Sequence, residues 1–146
     1  MRALGIDLGT KRIGVALSNS EGTLATPFEV VARSGDLARD HAAIAALAEE
    51  VGAEVLVVGL PLSLDGSEGP AAQGARAEAD LLAEATGLRT LLWDERLTTV
   101  SADRELIALD LGARERRRVV DKVAAAVMLQ AWLDHRRARS AAEGSR

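Results

Sequence analysis

Leu4-Gly5-Ile6-Asp7-Leu8-Gly9-Thr10-Lys11-Arg12-Ile13-Gly14-Val15-Ala16 reads as a β-hairpin whose strands cover residues 2–8 and 12–18. One carboxylate, Asp7, stands in a segment otherwise apolar or glycine, where a charge without a partner is costly. Gly5 and Gly9 leave room for a bulky group beside the backbone, and Gly14 takes a side chain away from the returning strand. A metal ion or a phosphate fits beside such a carboxylate. The structural alternative is that Asp7 bonds the amides of its own turn, as Asp often does.

Working outward, Gly22 closes a second turn and Thr26–Ala32, with its Val30-Val31 pair, makes a third strand. Residues 36–51 carry an Ala/Leu/Ile helical pattern with Asp36 at the N-cap and Gly52 at the stop. Residues 54–59 form a short Val/Leu strand with the continuous apolar run of a strand buried on both faces. The loop 60–69 is long for a βα connection and ends at Pro70, a favoured first helical residue. Helix 70–86, strand 89–93, a helix capped by Thr98 or Thr99 and running to about Leu111, and a last helix over 115–137 follow. The expected architecture is α/β, a five-stranded mixed sheet with helices on both faces, in one domain over 1–137. The tail 138–146, rich in Arg, Ser, Ala and Gly, is expected to be disordered.

Composition narrows the function classes. A chain of 146 residues supports one real core, and no run of about 18 apolar residues or leader pattern points to a membrane or to export. A cytoplasmic protein, with no membrane partner, is the expectation. With no cysteine there is no disulfide framework, thiol nucleophile or cysteine-ligated zinc. A net charge of −4 argues against a protein that coats nucleic acid with its whole surface, but leaves room for local basic faces. Arg114, Arg116, Arg117 and Arg118 form one such cluster, and Arg136, Arg137, Arg139 and Arg146 another. Lys11 and Lys122 are the chain's only lysines, and each lies near a suspect acid, Asp7 or Asp121. One Phe, two Trp and no Tyr offer no stacking platform for single strands, so Trp93 and Trp132 are assigned to the core. His41 and His135 are poorly placed as general bases, and no phosphate loop of the Walker type is present.

Ligands in open sheets of this kind gather at the carboxyl ends of parallel strands. Asp7 ends the first strand and Asp94-Glu95 the last. On the final helix Asp121 falls within the arc of Val120, Val123, Ala124, Val127, Met128 and Trp132 expected to face the sheet, with Lys122 outside it. An arginine salt bridge is the bland account of Asp121. Converging carboxylates instead repel unless a cation sits among them, and oxygen ligands without His or Cys favour Mg²⁺ or Mn²⁺.

Four segments complete the pattern: the opening hairpin, Val58-Gly59-Leu60-Pro61 with Asp65-Gly66-Ser67-Glu68-Gly69, Asp94-Glu95-Arg96-Leu97-Thr98-Thr99, and Asp121-Lys122-Val123-Ala124-Ala125. Together they resemble the YqgF (RuvX) family, bacterial RNase H-like nucleases related to Holliday-junction resolvases, over about residues 1–135. The resemblance implies an RNase H-like fold, metal-dependent phosphodiester hydrolysis and maturation of the 5′ end of pre-16S rRNA. It carries the catalytic and metal-binding acids onto Asp7, Glu95 and Asp121. Lys11, Arg12, Ser67, Arg96 and Lys122 are then the expected nucleic-acid contacts, with loop 60–69 closing over substrate. A fourth acid found in some resolvases has no clear counterpart where Gly59-Leu60-Pro61 stands.

The implied partners are pre-rRNA or branched DNA, with ribosomal precursor particles as a setting, and the chain acts as a monomer or homodimer. Two other readings stay beside the nuclease: a Holliday-junction-type DNA resolvase, and a non-catalytic RNA-binding factor of ribosome assembly or transcription. Gly5-Ile6-Asp7-Leu8-Gly9-Thr10 also resembles the first phosphate loop of the actin, Hsp70 and sugar-kinase fold, but that fold needs two such halves.

Overall fold

The structure is a computed structural model that describes residues 1–98 and 113–144. Strands β1 (Ala3–Leu8), β2 (Arg12–Ser18), β3 (Ala25–Ala32), β4 (Val55–Leu60) and β5 (Arg89–Asp94) form one sheet in the order β3-β2-β1-β4-β5. The first three make the antiparallel meander, and β4 and β5 add in parallel to β1 and to each other. The α-helices among the described residues are α1 (Leu37–Val51), α2 (Pro70–Thr86) and α3 (Ala113–Gly144). Edge strand β3 carries Pro27 where a missing N–H is tolerated, and a bulge opposite Val15 and Ala16 absorbs Phe28.

The side-chain period of two divides the strands between two cores. Leu4, Ile6, Leu56 and Val58 point to one face and pack on Ile44 and Ala48 of α1 and Ala79 and Leu82 of α2. Ala3, Ala16, Val55, Val57 and Trp93 point to the other and pack on Ala125, Met128, Leu129, Trp132 and Leu133 of α3. Helices therefore cover both faces, and both tryptophans lie in the core as expected. The local punctuation also holds. Asp36 accepts from the Arg39 amide at the start of α1, and Gly52 ends it in the left-handed region at φ 68°, donating to Ala48 and Glu49. Pro70 opens α2.

At the C-terminal side one expectation falls outside the described residues and another is corrected. The helix expected from Thr98 or Thr99 to Leu111 lies outside the described residues apart from its first position. The final helix runs to Gly144, into the segment read as a disordered tail, because Ala138, Arg139, Ala141 and Ala142 are strong helix formers and nothing before Gly144 breaks the pattern. Its buried face is also turned: Ala125, Leu129 and Leu133 are fully buried, whereas Val123 and Val127 are half-buried.

Several carboxyl groups among the described residues tie the fold to pH, Glu78, Asp40 and Asp94 among them. Burial opposes the ionisation of Glu78, but hydrogen bonds from Arg33 and His41 hold its pKa below the usual glutamate value. The Ser34 hydroxyl, against burial, does the same for Asp40, and the Arg96 guanidinium, also against burial, for Asp94. Groups lowered on folding stabilise the chain above their unfolded pKa of about 4 and lose that contribution as pH falls through the folded value. Unfolding midpoints are expected to stay level down to about pH 5 and to drop below about pH 4. Equal midpoints at pH 7 and pH 3 would contradict this.

Candidate active site

The carboxyl edge of the parallel strands presents one row of residues on the α3 face. Asp7 pairs with Gly14 across the hairpin, and the β1–β4 register, which reaches Ile6 and Val58, carries Asp7 on beside Gly59. Gly59 in turn pairs with Trp93. Asp7 is thus flanked on both sides by glycine, and each glycine leaves a notch that another element fills.

At Gly14 the filler is backbone. A Cβ there would overlap the carbonyl oxygen of Asp121, so α3 rests directly on β2 at the residue opposite Asp7. A Cβ at Gly5 would come within 2.8 Å of the Leu129 Cβ, which marks the same close approach two turns further along. At Gly59 the filler is a carboxylate: a Cβ would overlap Glu95 Oε1 and crowd the Met128 sulfur at 2.9 Å. Glu95 opens a short 3₁₀ turn, Glu95–Leu97, that begins where β5 ends. Asp7 and Glu95 both line one cleft of about 410 Å³, together with Gly9, Thr10, Arg33 and Glu78.

Asp121 is held differently. Its Oδ2 accepts from Arg12 Nε at 2.5 Å, with both side chains about a quarter exposed, and it is not part of the cleft wall. Among the described residues no three acidic or histidine side chains gather closely enough to cage an ion. The structure therefore brings together two of the three expected acids, while the third stands over Gly14 with its charge taken by an arginine expected on phosphate. The donor set still suits a hard divalent cation: two carboxylates on one sheet face, at neighbouring strand ends, with open space in front of them.

The other expected contacts fall into two groups. Lys11 is exposed on the β1–β2 turn and Lys122 half-buried beside Asp121. Arg96 and Ser67 instead build loop 60–69. Arg96 grips the Asp94 carboxylate through Nε and Nη2 and donates to the Leu64 carbonyl at 3.3 Å. The Ser67 hydroxyl and amide both donate to Asp65 Oδ1, at 2.6 and 2.9 Å. The loop is closed on itself rather than extended.

Sequence reasoning missed a half-buried ionic network on the far wall of the cleft. Arg33 donates through Nη1 and Nη2 to the two Glu78 oxygens at 2.8 and 3.0 Å and through Nε to the Gly9 carbonyl at 2.9 Å. His41 Nε2 meets Glu78 Oε2 at 2.7 Å. His41 is thus a core histidine satisfied by a glutamate, and Arg33 clamps the turn that follows Asp7, whose Lys11 carbonyl also accepts from the Arg33 amide. Three partners from separate elements left no local signal beyond a polar residue in an apolar helix face.

The profile of a family described as RuvX, Holliday junction resolvase, matches residues 1–135. The chain belongs to the RuvX family. A Myxococcus xanthus protein named "Putative pre-16S rRNA nuclease" is 49% identical over 137 residues, covering 94% of this chain and 90% of that protein. Proteins of the same name from Geobacillus kaustophilus and Rhodopseudomonas palustris are 44% and 50% identical over 140 residues, covering 94% and 96% of this chain. Among solved structures, Thermus thermophilus RuvC in complex with a Holliday junction substrate aligns with a TM-score of 0.58 at 17% identity, over 92% of this chain and 96% of that one. That likeness shows the fold, which this RuvX-family chain shares with RuvC. Among the described residues no helix is long and apolar enough to cross a membrane.

Proposed function

We propose that the chain is a metal-dependent nuclease that hydrolyses phosphodiester bonds in structured nucleic acid, and that its task is 5′-end processing of pre-16S rRNA in the cytoplasm. The observation that carries this reading is the seating of Asp7 between two glycine notches, one filled by the Glu95 carboxylate and the other by the Asp121 backbone. Family membership and nuclease-named relatives of nearly equal length support the same activity.

In this reading Asp7, Glu95 and Asp121 would hold Mg²⁺ or Mn²⁺, and the ion would supply Lewis acidity toward the phosphodiester. The chain's own residues do the rest. Asp7 and Glu95 offer oxygen ligands to the cleft from strand ends that the sheet holds fixed. Arg12 pairs with Asp121 in the free protein, and exchange of that carboxylate for a substrate phosphate would leave Asp121 available as the third ligand. Lys11 and Lys122 add cations at the substrate side, while Arg96 and Ser67 keep loop 60–69 folded as a wall for the strand. Arg33 and Glu78 hold the turn after Asp7 in place.

The test is incubation of the purified chain with a 5′ fragment of precursor 16S RNA and with a four-way DNA junction, with Mg²⁺, with Mn²⁺ and with chelator. Metal-dependent shortening of the RNA is expected. Cleavage of the junction alone favours the resolvase, and RNA binding without turnover in either metal favours a non-catalytic assembly factor.

A further inference from the structure

A second cavity, of about 300 Å³, lies at the opposite end of the sheet from the acids. Its walls come from Val55 and Arg89, where β4 and β5 begin, and from Trp132, His135, Arg136 and Arg139 on α3. Each of those strands has six residues, so about 20 Å separates this cavity from the cleft of Asp7 and Glu95. Three guanidinium groups and an imidazole share one small space.

What sets these arginines apart is that they gather in one cavity without carboxylate partners, whereas Arg2 and Arg39, also unpaired with acids among the described residues, lie outside it. Arg12, Arg33, Arg76, Arg96 and Arg137 each pair with a carboxylate. Arg89, Arg136 and Arg139 pair with none among the described residues. Arg136 lies over the Trp132 ring at 5.6 Å, which orients its guanidinium by its stem and plane while leaving the N–H donors for a ligand. His135 is set edge-on against Trp93, with ring centres 5.5 Å apart. Like charges gathered in a concave site raise the local positive potential, and the planar fork of arginine matches phosphate oxygens two at a time.

We propose that this cavity binds backbone phosphates of the same nucleic acid that the acidic cleft cleaves, as an anchor remote from the scissile bond. The ligand rests on the nuclease reading above. A duplex rises about 3.4 Å per step, so a strand leaving the acids reaches the cavity after about six base pairs. Substrates with a shorter arm cannot use it.

The experiment compares the full chain with Arg89→Gln/Arg139→Gln, two exposed positions where a fold change is not expected, and with Arg89→Lys/Arg139→Lys as a charge-preserving control. Binding to RNA duplexes with arms of 4 and 12 base pairs is measured in chelator as a function of salt, and KM and kcat are measured with metal. For the long arm the Gln variant is expected to lower the slope of log affinity against log salt by about 2 and to raise KM about tenfold at unchanged kcat. The short arm is expected to behave as in the parent, and the Lys variant to keep the parent's salt slope. An unchanged slope and KM on the long arm overturns the anchor, as does equal loss on both arms. Binding of both duplexes without cleavage by the parent would instead count against the nuclease reading alone, because the salt slopes are read without turnover.

Discussion

Asp7→Asn is expected to lower metal-dependent cleavage of structured RNA by about a thousandfold while leaving the fold intact. The change keeps the shape of the side chain and removes a charged oxygen ligand, and the Lewis-acid contribution at stake is several kcal/mol, each 1.36 kcal/mol being a factor of ten in rate. Asp7 is half-buried at a strand end and Asn keeps its size and shape, so the melting temperature is expected to change little. Single-turnover cleavage and thermal melting on the same preparation check both halves. Full activity in Asp7→Asn removes the assignment of this cleft as the catalytic one.

The two glycines beside Asp7 give the second large effect, and they separate fold from function. In Gly14→Ala the added methyl meets the Asp121 carbonyl, which belongs to helix backbone and cannot step aside without shifting α3. The expected cost is about 3 kcal/mol, at the upper end for overpacking, or a melting temperature about 10 °C lower. In Gly59→Ala the methyl meets the Glu95 carboxylate and the Met128 sulfur, both on flexible side chains that can give way. Stability is expected to change by less than about 1 kcal/mol, whereas cleavage falls by a factor of a hundred or more as Glu95 leaves its place over β4. Melting curves and rates for the pair test this. Equal damage to stability in both variants would contradict the distinction between the two notches.

This division also explains what the sequence could reveal. The hairpin, the parallel strands and the caps at Asp36, Gly52 and Pro70 were legible because each depends on residues within a turn or two of one another. The setting of α3 was legible only in part. The expected arc includes Ala124, Met128 and Trp132, which are buried, and Asp121, which meets Gly14, but it also takes in Val123 and Val127, which are half-buried, and leaves out Ala125 and Leu129, which sit where Gly5 admits the helix. A contact between glycine and main chain leaves no mark in a pattern of side chains. For the same reason Gly14 could be read as a space beside Asp7, whereas Gly59, seen only as the absence of a further acid, proved to be the seat of Glu95.

The network around Glu78 was hidden by sequence distance: Arg33 lies 45 positions and His41 37 positions away. Nothing local distinguishes such a glutamate from a surface residue of α2. Loop 60–69 was legible as a feature, and its turn is closed by local bonds of Ser63, Asp65, Gly66 and Ser67, whereas the Arg96 bond to the Leu64 carbonyl comes from beyond β5 and left no local signal.

Titration of the protein with Mn²⁺, with bound ion counted by electron paramagnetic resonance, decides whether Asp7 and Glu95 form one cation-binding pair at the carboxyl edge of the sheet. Saturable binding is expected in the parent chain, with loss of at least tenfold in affinity in both Asp7→Asn and Glu95→Gln. Parent-like Mn²⁺ binding in the Asp7→Asn/Glu95→Gln double variant would contradict it.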